Sequence, residues 1–210
     1  MIGRLRARFK PLVRRVAMPL ARAGVPPWLV TVSAVPLALL AAWCIDARHF
    51  AVGFCIALLA SLVDLIDGTV AELQQRRSPF GNYYETVVDK VVEVILLSGT
   101  ARMCPLAAFL ACATSLLVSF AKARVGLVVI TDNRDWPAIG DRADRLLVFL
   151  TGLFLAACGY RVAGYHALRV ALWAIVALNL LGLQQRMAYA RTLIARAERE
   201  GSLLPYITRQ

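Results

Sequence analysis

The sequence predicts an all-α integral membrane protein in which six transmembrane helices follow an N-terminal amphipathic helix at the membrane interface. Of its 210 residues, 60% are hydrophobic, and the mean hydropathy is +0.65. A soluble domain of this size is less apolar, because it covers itself with polar side chains. A bilayer core of ~30 Å takes about 20 mostly apolar residues per helix, and runs of this kind recur along the chain. The predicted spans are residues 29–45, 51–70, 86–103, 105–130, 145–158 and 165–183.

The first 24 residues predict a basic helix that lies in the membrane interface. Apolar residues recur there at spacings of three and four among basic ones, which is typical of a helix between acyl chains and anionic headgroups. Pro26 and Pro27 end this helix. The fifth span is short and begins in charged sequence, so five spans are the alternative. The predicted organisation is a juxtamembrane helix over 1–24, a membrane domain over 25–185 and a basic cytoplasmic tail over 186–210.

The net charge of +11 fits a membrane protein better than a nucleic-acid-binding protein. Lys and Arg accumulate in the cytoplasmic loops of membrane proteins. With a cytoplasmic N-terminus and six spans, the opposite side receives little more than Arg48, Arg102, Arg161 and Arg169. Both termini are therefore predicted to be cytoplasmic in a cell membrane, and no nucleic-acid partner is expected. The cations predicted on the cytoplasmic side are Arg4, Arg6, Arg8, Lys10, Arg14, Arg15, Arg22, Arg76, Arg77, Arg134, Arg142, Arg145, Arg186, Arg191, Arg196, Arg199 and Arg209.

Six of the 13 acidic residues fall within one stretch of 30 residues. Charge at membrane depth is costly and marks functional sites. Asp64 and Asp67 are three residues apart, and Glu85 and Asp89 are four apart, so each pair projects from one face of its helix. The loop predicted over 72–82 joins two antiparallel helices. The two acidic faces are therefore expected to meet at the cytoplasmic end.

Four clustered carboxylates require positive charge among them, because like charges at close range repel one another. Oxygen ligands without His or Cys favour Mg²⁺ or Mn²⁺ over zinc. Two such ions would polarise a phosphoryl group and stabilise the attacking and the leaving oxygen of one displacement. The sequence therefore predicts a site for two Mg²⁺ or Mn²⁺ ions at the cytoplasmic face.

The same stretch resembles the signature of the CDP-alcohol phosphotransferase family, D-x2-D-G-x2-A-R-x8-G-x3-D-x3-D. In this chain it reads Asp64-x2-Asp67-Gly68-x2-Ala71-Glu72-x8-Gly81-x3-Glu85-x3-Asp89. Two positions depart from the pattern. Glu72 stands where the family has Arg, which reverses a charge, and Glu85 stands where the family has Asp, which adds one methylene. Arg76 or Arg77 is the candidate to replace the missing arginine.

This resemblance implies a transferase of phospholipid biosynthesis. It implies transfer of a phosphatidyl or other phosphoryl-alcohol group from a CDP-linked lipid donor, with CDP-diacylglycerol expected, to the hydroxyl of a polar alcohol or alcohol phosphate. CMP is released, Asp89 is the general base, and similar enzymes are often homodimers. The implied metal ligands are Asp64, Asp67, Glu85 and Asp89. The implied CDP-binding residues are Asp64, Asp67, Gly68, Ala71 and Gly81.

Several cations at predicted cytoplasmic helix ends are candidates for binding an acceptor phosphate, because arginine forks match phosphate oxygens. The alternative is that these residues serve membrane topology alone. The candidates are Lys122, Arg124, Arg142, Arg145, Arg76 and Arg77.

Two other functions stay open from the sequence. A small cation or proton transporter also carries intramembrane carboxylates. Broken helices or acids spread along a path are expected there, whereas these acids lie at one end of two adjacent helices. Within the enzyme class, the alternative is a CDP-linked polar alcohol that reacts with a lipid acceptor.

Overall fold

The structure, a computed structural model, describes residues 2–129, 136 and 139–204, and only the backbone of residues 2–10 and 12. The described chain contains seven α-helices and one short hairpin. It divides into two compact units, Met1–Arg102 and Met103–Gln210. The elements are α1 (Ile2–Arg22), α2 (Pro27–Asp46), α3 (Phe50–Leu73), α4 (Pro79–Ser98), α5 (Pro105–Val125), α6 (Arg142–Ala157), β1 (Arg161–Val162), β2 (Tyr165–His166) and α7 (Ala167–Glu200).

In the first unit, α2 packs against both α3 and α4, and α1 packs against α3. Glycines let these backbones approach closely. A Cβ at Gly53 of α3 would lie 2.8 Å from Ile45 Cγ1, and a Cβ at Gly99, after α4, would lie 2.7 Å from Ala42 Cα. Such close packing holds membrane helices together where lipid surrounds them, since apolar burial alone favours no partner there.

The turn between α3 and α4 is shorter than the sequence predicts. The loop expected over 72–82 ends early because α4 begins at Pro79. Ser78 Oγ accepts a hydrogen bond from the Gly81 N–H at 2.9 Å and caps the helix, and proline is favoured in the first helical turn. The prediction that this helix begins at residue 86 is wrong, because it missed the Ser-Pro start.

In the second unit, α7 packs against both α5 and α6. Asn179 of α7 is fully buried, and its Nδ2 donates to Thr114 Oγ1 at 2.9 Å and to Ser115 Oγ at 3.0 Å. A Cβ at Gly152 of α6 would overlap the side chain of Ala171 on α7. Hydrogen bonds and close contacts of this kind therefore join the three helices.

A short hairpin, made of two strands of two residues each, lies between α6 and α7, and the sequence did not predict it. Arg161 pairs with His166, and Ala163 and Gly164 turn the chain with φ values of 50° and 82°. Two central residues with positive φ are typical of the tight turns that suit the twist of a hairpin. The last helix accordingly begins after this hairpin and not at residue 165.

Four described helices, α2, α3, α5 and α7, are long and apolar enough to cross a membrane. The other two predicted spans are helical but do not meet that standard. α4 carries Glu85, Asp89, Lys90 and Glu93, and α6 has 16 residues where about 20 span a bilayer core. The predicted count of six spans is therefore not confirmed.

Both ends of the chain carry predictions that the structure tests only in part. α1 is helical as expected, and α7 continues to Glu200, so the boundary predicted at residue 185 falls inside one helix. Among the residues that carry a prediction, those outside the described part of the chain are Ile130, Arg134 and Arg209, together with the side chains of Arg4, Arg6, Arg8 and Lys10.

Candidate active site

Three of the four predicted metal ligands come together between α3 and α4. Asp64, Asp67 and Glu85 each offer a carboxylate oxygen, and these oxygens lie within 4.8 Å of one another. Asp67 is 2% exposed, while the other two are half-buried. The three-residue spacing puts both aspartates on one face of α3, and α4 presents its glutamate to that face.

The fourth predicted ligand, Asp89, lies one turn beyond Glu85 on the same side of α4 and is half-buried. It is not among the three residues whose carboxylate oxygens lie within 4.8 Å. One turn further, Glu93 pairs with Lys90 Nζ at 3.0 Å. The acids of α4 therefore form a row in which only the first belongs to the tight group.

The group of three fits a hard divalent cation. Asp67 Oδ2 is buried and has no hydrogen-bond partner among the described residues. Leaving a buried charged oxygen without a partner costs on the order of 1–3 kcal/mol or more. A cation ligated by this oxygen removes that cost, and three carboxylates without His or Cys are the donors that Mg²⁺ and Mn²⁺ prefer.

Open space adjoins the carboxylates at Gly68. A Cβ built there would meet no atom within 4 Å, so no packing neighbour requires glycine at this position. Ala71, three residues further on α3, is half-buried. Gly81 differs, because its Cβ would lie 3.1 Å from Ser78 Oγ, the capping group of α4. The surface at Gly68 is therefore open, whereas Gly81 packs against the cap of α4.

The short loop before α4 carries the departure from the family pattern. Glu72 Oε2 accepts a hydrogen bond from Arg77 Nη2 at 2.9 Å, and both side chains are exposed, as is Arg76. Gln74 anchors the start of the loop, because its Nε2 donates to the Val25 carbonyl at 2.9 Å. The arginines therefore lie on a loop tied to the segment between α1 and α2.

The remaining predicted cations lie where α5 ends and α6 begins. Lys122 and Arg124 occupy the last turn of α5, and Arg142 is the first residue of α6. Arg145 is only 3% exposed, and its Nη1 donates to the Gly140 carbonyl. Of the predicted phosphate ligands in this unit, Arg145 is thus the buried one.

Arg186 is a buried cation that the sequence assigned to topology alone. It is 4% exposed, its Nη1 donates to the Val118 carbonyl at 2.8 Å, and its Nη2 binds Asp141 Oδ1. The prediction missed this environment because it ended the last helix at residue 183 and assigned residues 186–210 to a tail. Its position in the sequence could have revealed the burial, because Arg186 follows Asn179 by seven residues, which puts both on one face of a longer helix.

Comparisons with known proteins agree with the signature. The family model for CDP-alcohol phosphatidyltransferase matches residues 25–181, well over half of the chain. The archaetidylinositol phosphate synthase of Methanothermobacter thermautotrophicus is 25% identical over 185 residues, which cover 86% of this chain and 91% of that protein. A phosphatidylinositol phosphate synthase of Streptomyces avermitilis is 28% identical over 209 residues, which cover 92% and 83%.

Solved structures share the fold. The crystal structure of Mycobacterium tuberculosis phosphatidylinositol phosphate synthase with CDP-DAG bound matches with a TM-score of 0.71 and 21% identity, over 86% of this chain and 94% of that one. The same enzyme in complex with manganese and citrate matches with a TM-score of 0.71 and 22% identity, over 86% and 89%. The family model confirms the resemblance seen in residues 64–89, and this chain belongs to the CDP-alcohol phosphatidyltransferase family of membrane-embedded transferases.

Proposed function

We propose that the chain transfers a phosphatidyl group from CDP-diacylglycerol to the hydroxyl of an alcohol phosphate and releases CMP. The observation that carries this proposal is the group of Asp64, Asp67 and Glu85, with its partnerless buried oxygen, beside the open space at Gly68. Relatives named archaetidylinositol phosphate synthase and phosphatidylinositol phosphate synthase make inositol phosphate the first acceptor to test. Family membership favours this function over a transporter.

Asp64, Asp67, Glu85 and Asp89 are the proposed ligands of two divalent cations, Mg²⁺ or Mn²⁺. The tight spacing of the first three supports this ligand set, and the structure of the mycobacterial relative in complex with manganese supports the metal. Bound cations of this kind polarise the phosphoryl group and stabilise charge on the attacking and leaving oxygens. The contribution of the chain is a set of oxygens held in place by two packed helices.

Asp89 is the proposed general base. It takes the proton of the acceptor hydroxyl, whose oxygen then forms a bond to the β-phosphorus of the donor while the bond from that phosphorus to CMP breaks. Its place one turn beyond Glu85, outside the tight group of three, supports a role distinct from ligation alone. A positioned base of this kind typically contributes ~10²–10⁴-fold to the rate.

The donor nucleotide is proposed to lie against Gly68 and Ala71, with Gly81 shaping the start of α4 beside it. Arg77 is the proposed replacement for the arginine that the family carries at position 72. Arg77 pairs with Glu72 at 2.9 Å, on the loop that follows the carboxylates of α3 in sequence. Arg76 is the second candidate on the same loop.

The acceptor phosphate is proposed to bind cations in the last turn of α5, Lys122 and Arg124, and in the first turn of α6, Arg142 and Arg145. Arg186 joins this set, because its buried Nε has no hydrogen-bond partner among the described residues. Guanidinium groups suit this task, since their planar forks match phosphate oxygens.

The proposed setting is a cell membrane, with both termini and the site at the cytoplasmic face. The sequence distribution of Lys and Arg supports this orientation. A homodimer is the proposed assembly. The juxtamembrane, membrane and tail segments keep their predicted roles, with the tail beginning as the end of α7.

Release of CMP from CDP-diacylglycerol by the purified protein in detergent tests the function. Inositol phosphate is compared with glycerol phosphate, inositol and serine, each with Mg²⁺, Mn²⁺ or EDTA. Metal-dependent release that requires one phosphorylated alcohol is expected. Release only from a CDP-linked polar alcohol in the presence of diacylglycerol would favour the reverse arrangement of donor and acceptor.

A further inference from the structure

Asp141 has an unusual role for an aspartate in front of a helix. It is the N-cap residue of α6, where an aspartate side chain ordinarily accepts a hydrogen bond from an N–H of the first turn. Here the side chain makes no capping bond, and its Oδ1 instead binds Nη2 of Arg186 on α7. The carboxylate therefore serves an ion pair at the expense of the helix cap.

Two glycines hold Asp141 in this place. Gly140 has φ +71°, and a Cβ there would lie 2.9 Å from the Leu178 carbonyl oxygen of α7. A Cβ at Gly182 would lie 2.5 Å from the Ile139 carbonyl oxygen. The chain before α6 thus lies directly on α7, which fixes the carboxylate beside the guanidinium.

The two members of the Asp141–Arg186 pair differ in exposure, so that the carboxylate can be replaced by another anion while the guanidinium stays in place. Arg186 is 4% exposed, and the Val118 carbonyl occupies its Nη1, so the cation is held in place. Asp141 is 52% exposed, so the carboxylate is the member of the pair that meets solvent. Nε of Arg186 is buried and lacks a hydrogen-bond partner in the described part of the chain, which leaves one donor for a further oxygen.

We propose that Asp141 determines specificity for phosphorylated acceptors by occupying Arg186 until a phosphate displaces it. A neutral alcohol offers no charge with which to compete against a carboxylate, whereas a phosphate near neutral pH brings a charge of about −1.5 to −2 and three acceptor oxygens. Asp141 weakens the binding of every anion at Arg186, but it excludes the uncharged alcohols. This inference rests on the proposed function, because it assigns the specificity of that same acceptor site.

Inorganic phosphate binding by the full-length protein in detergent is the first test, measured as the rise in Tm with phosphate concentration. Asp141→Asn removes a like charge from beside the phosphate, so we expect roughly tenfold tighter binding than in the wild type. Asp144→Asn is the matched control, since it removes the same charge from the first turn of the same helix. We expect wild-type affinity in that control.

Turnover supplies the second test. In Asp141→Asn we expect a lower KM for inositol phosphate and a smaller preference for it over inositol. Asp141→Ser removes the charge and supplies a hydroxyl suited to capping the helix, and it takes the place of Asp141→Asn if that variant does not fold. Unchanged or weaker phosphate binding in both variants, or equal tightening in Asp144→Asn, would overturn the inference.

The binding and turnover results separate this inference from the function it rests on. Tighter phosphate binding in Asp141→Asn, together with no CMP release by the wild type with any acceptor, would retain the competition at Arg186 and refute the transferase substrates proposed above. CMP release by the wild type, without any change of phosphate affinity in the variants, would retain the proposed transferase function and refute the competition at Arg186.

Discussion

At the scale of single residues, Asp67 combines full burial with a carboxylate oxygen that no described group satisfies. We expect Asp67→Asn to lower metal-dependent CMP release by at least about a hundredfold, because a proposed ligand carboxylate becomes an amide. Its Tm in EDTA should be equal to or above that of the wild type, since a buried charge is removed.

The control for this substitution is Asp46→Asn, which removes a carboxylate that pairs with Arg102 at 3.3 Å, away from the group of three. It should retain activity. Divalent cations should raise the Tm of the wild type but not that of Asp67→Asn. Equal stabilisation of both proteins by Mn²⁺ would contradict the assignment of Asp67 as a ligand.

Asp89 stands one turn apart from the tight group, and its proposed role is kinetic. We expect Asp89→Asn to reduce kcat by about 10²–10⁴-fold while the KM for the donor changes by less than about threefold. Steady-state kinetics with varied CDP-diacylglycerol measure both constants. Full activity in this variant would remove Asp89 as the base.

Gly68 and Gly99 are matched glycines with opposite surroundings. A methyl group at Gly68 meets nothing within 4 Å, whereas one at Gly99 would lie 2.7 Å from backbone atoms of Ala42. We therefore expect Gly68→Ala to keep or raise the wild-type Tm, since alanine favours a helix interior, and to raise the KM for the donor, because the nucleotide is proposed to occupy that space. Gly99→Ala should lower the Tm. A lowered Tm in Gly68→Ala with an unchanged KM would show that this glycine serves packing.

At the scale of elements, a substitution in the segment between α3 and α4 can test whether Glu72, which stands where the family has Arg, is an adaptation. Glu72→Arg breaks the pair with Arg77 and puts two guanidinium groups side by side. We expect a higher KM for the donor with little change in stability, because exposed ion pairs contribute only ~0–1 kcal/mol.

The charge-swapped protein, Glu72→Arg with Arg77→Glu, restores the pair and is expected to recover most of the lost donor affinity. Donor KM values for the single and double variants, compared in one cycle, measure the coupling between the two positions. A gain of activity in Glu72→Arg alone would instead mark Glu72 as a defect of this chain.

At the scale of the whole molecule, the orientation of the chain in the membrane is testable with cysteines. In a cysteine-free background, Ala47→Cys lies in the turn between α2 and α3, and Ser202→Cys lies just after the end of α7. With the termini in the cytoplasm, a membrane-impermeant maleimide applied to intact cells should label position 47 and not position 202. Labelling of both positions only after lysis would contradict this topology.

Much of the candidate site was predictable because helical spacing fixes which side chains share a face. Asp64 with Asp67, and Glu85 with Asp89, follow from that rule alone. The sequence did not predict that only three of these four form the tight group. Nor did it predict the start of α4 at Pro79, because the Ser78 cap competes with the apolar pattern that the prediction followed.

The sequence by itself determined the class of protein, the approximate positions of the helices without their exact ends, and the signature from Asp64 to Asp89, because these depend on composition, periodicity and spacing along the chain. Only the tertiary structure decided that Asp67 keeps a buried oxygen without a hydrogen-bond partner among the described residues. The same holds for the ion pair between Asp141 and Arg186, which is 45 residues away. The physical reason is that contacts between distant residues depend on how helices rotate and pack against one another. Spacing along one helix does not specify that arrangement.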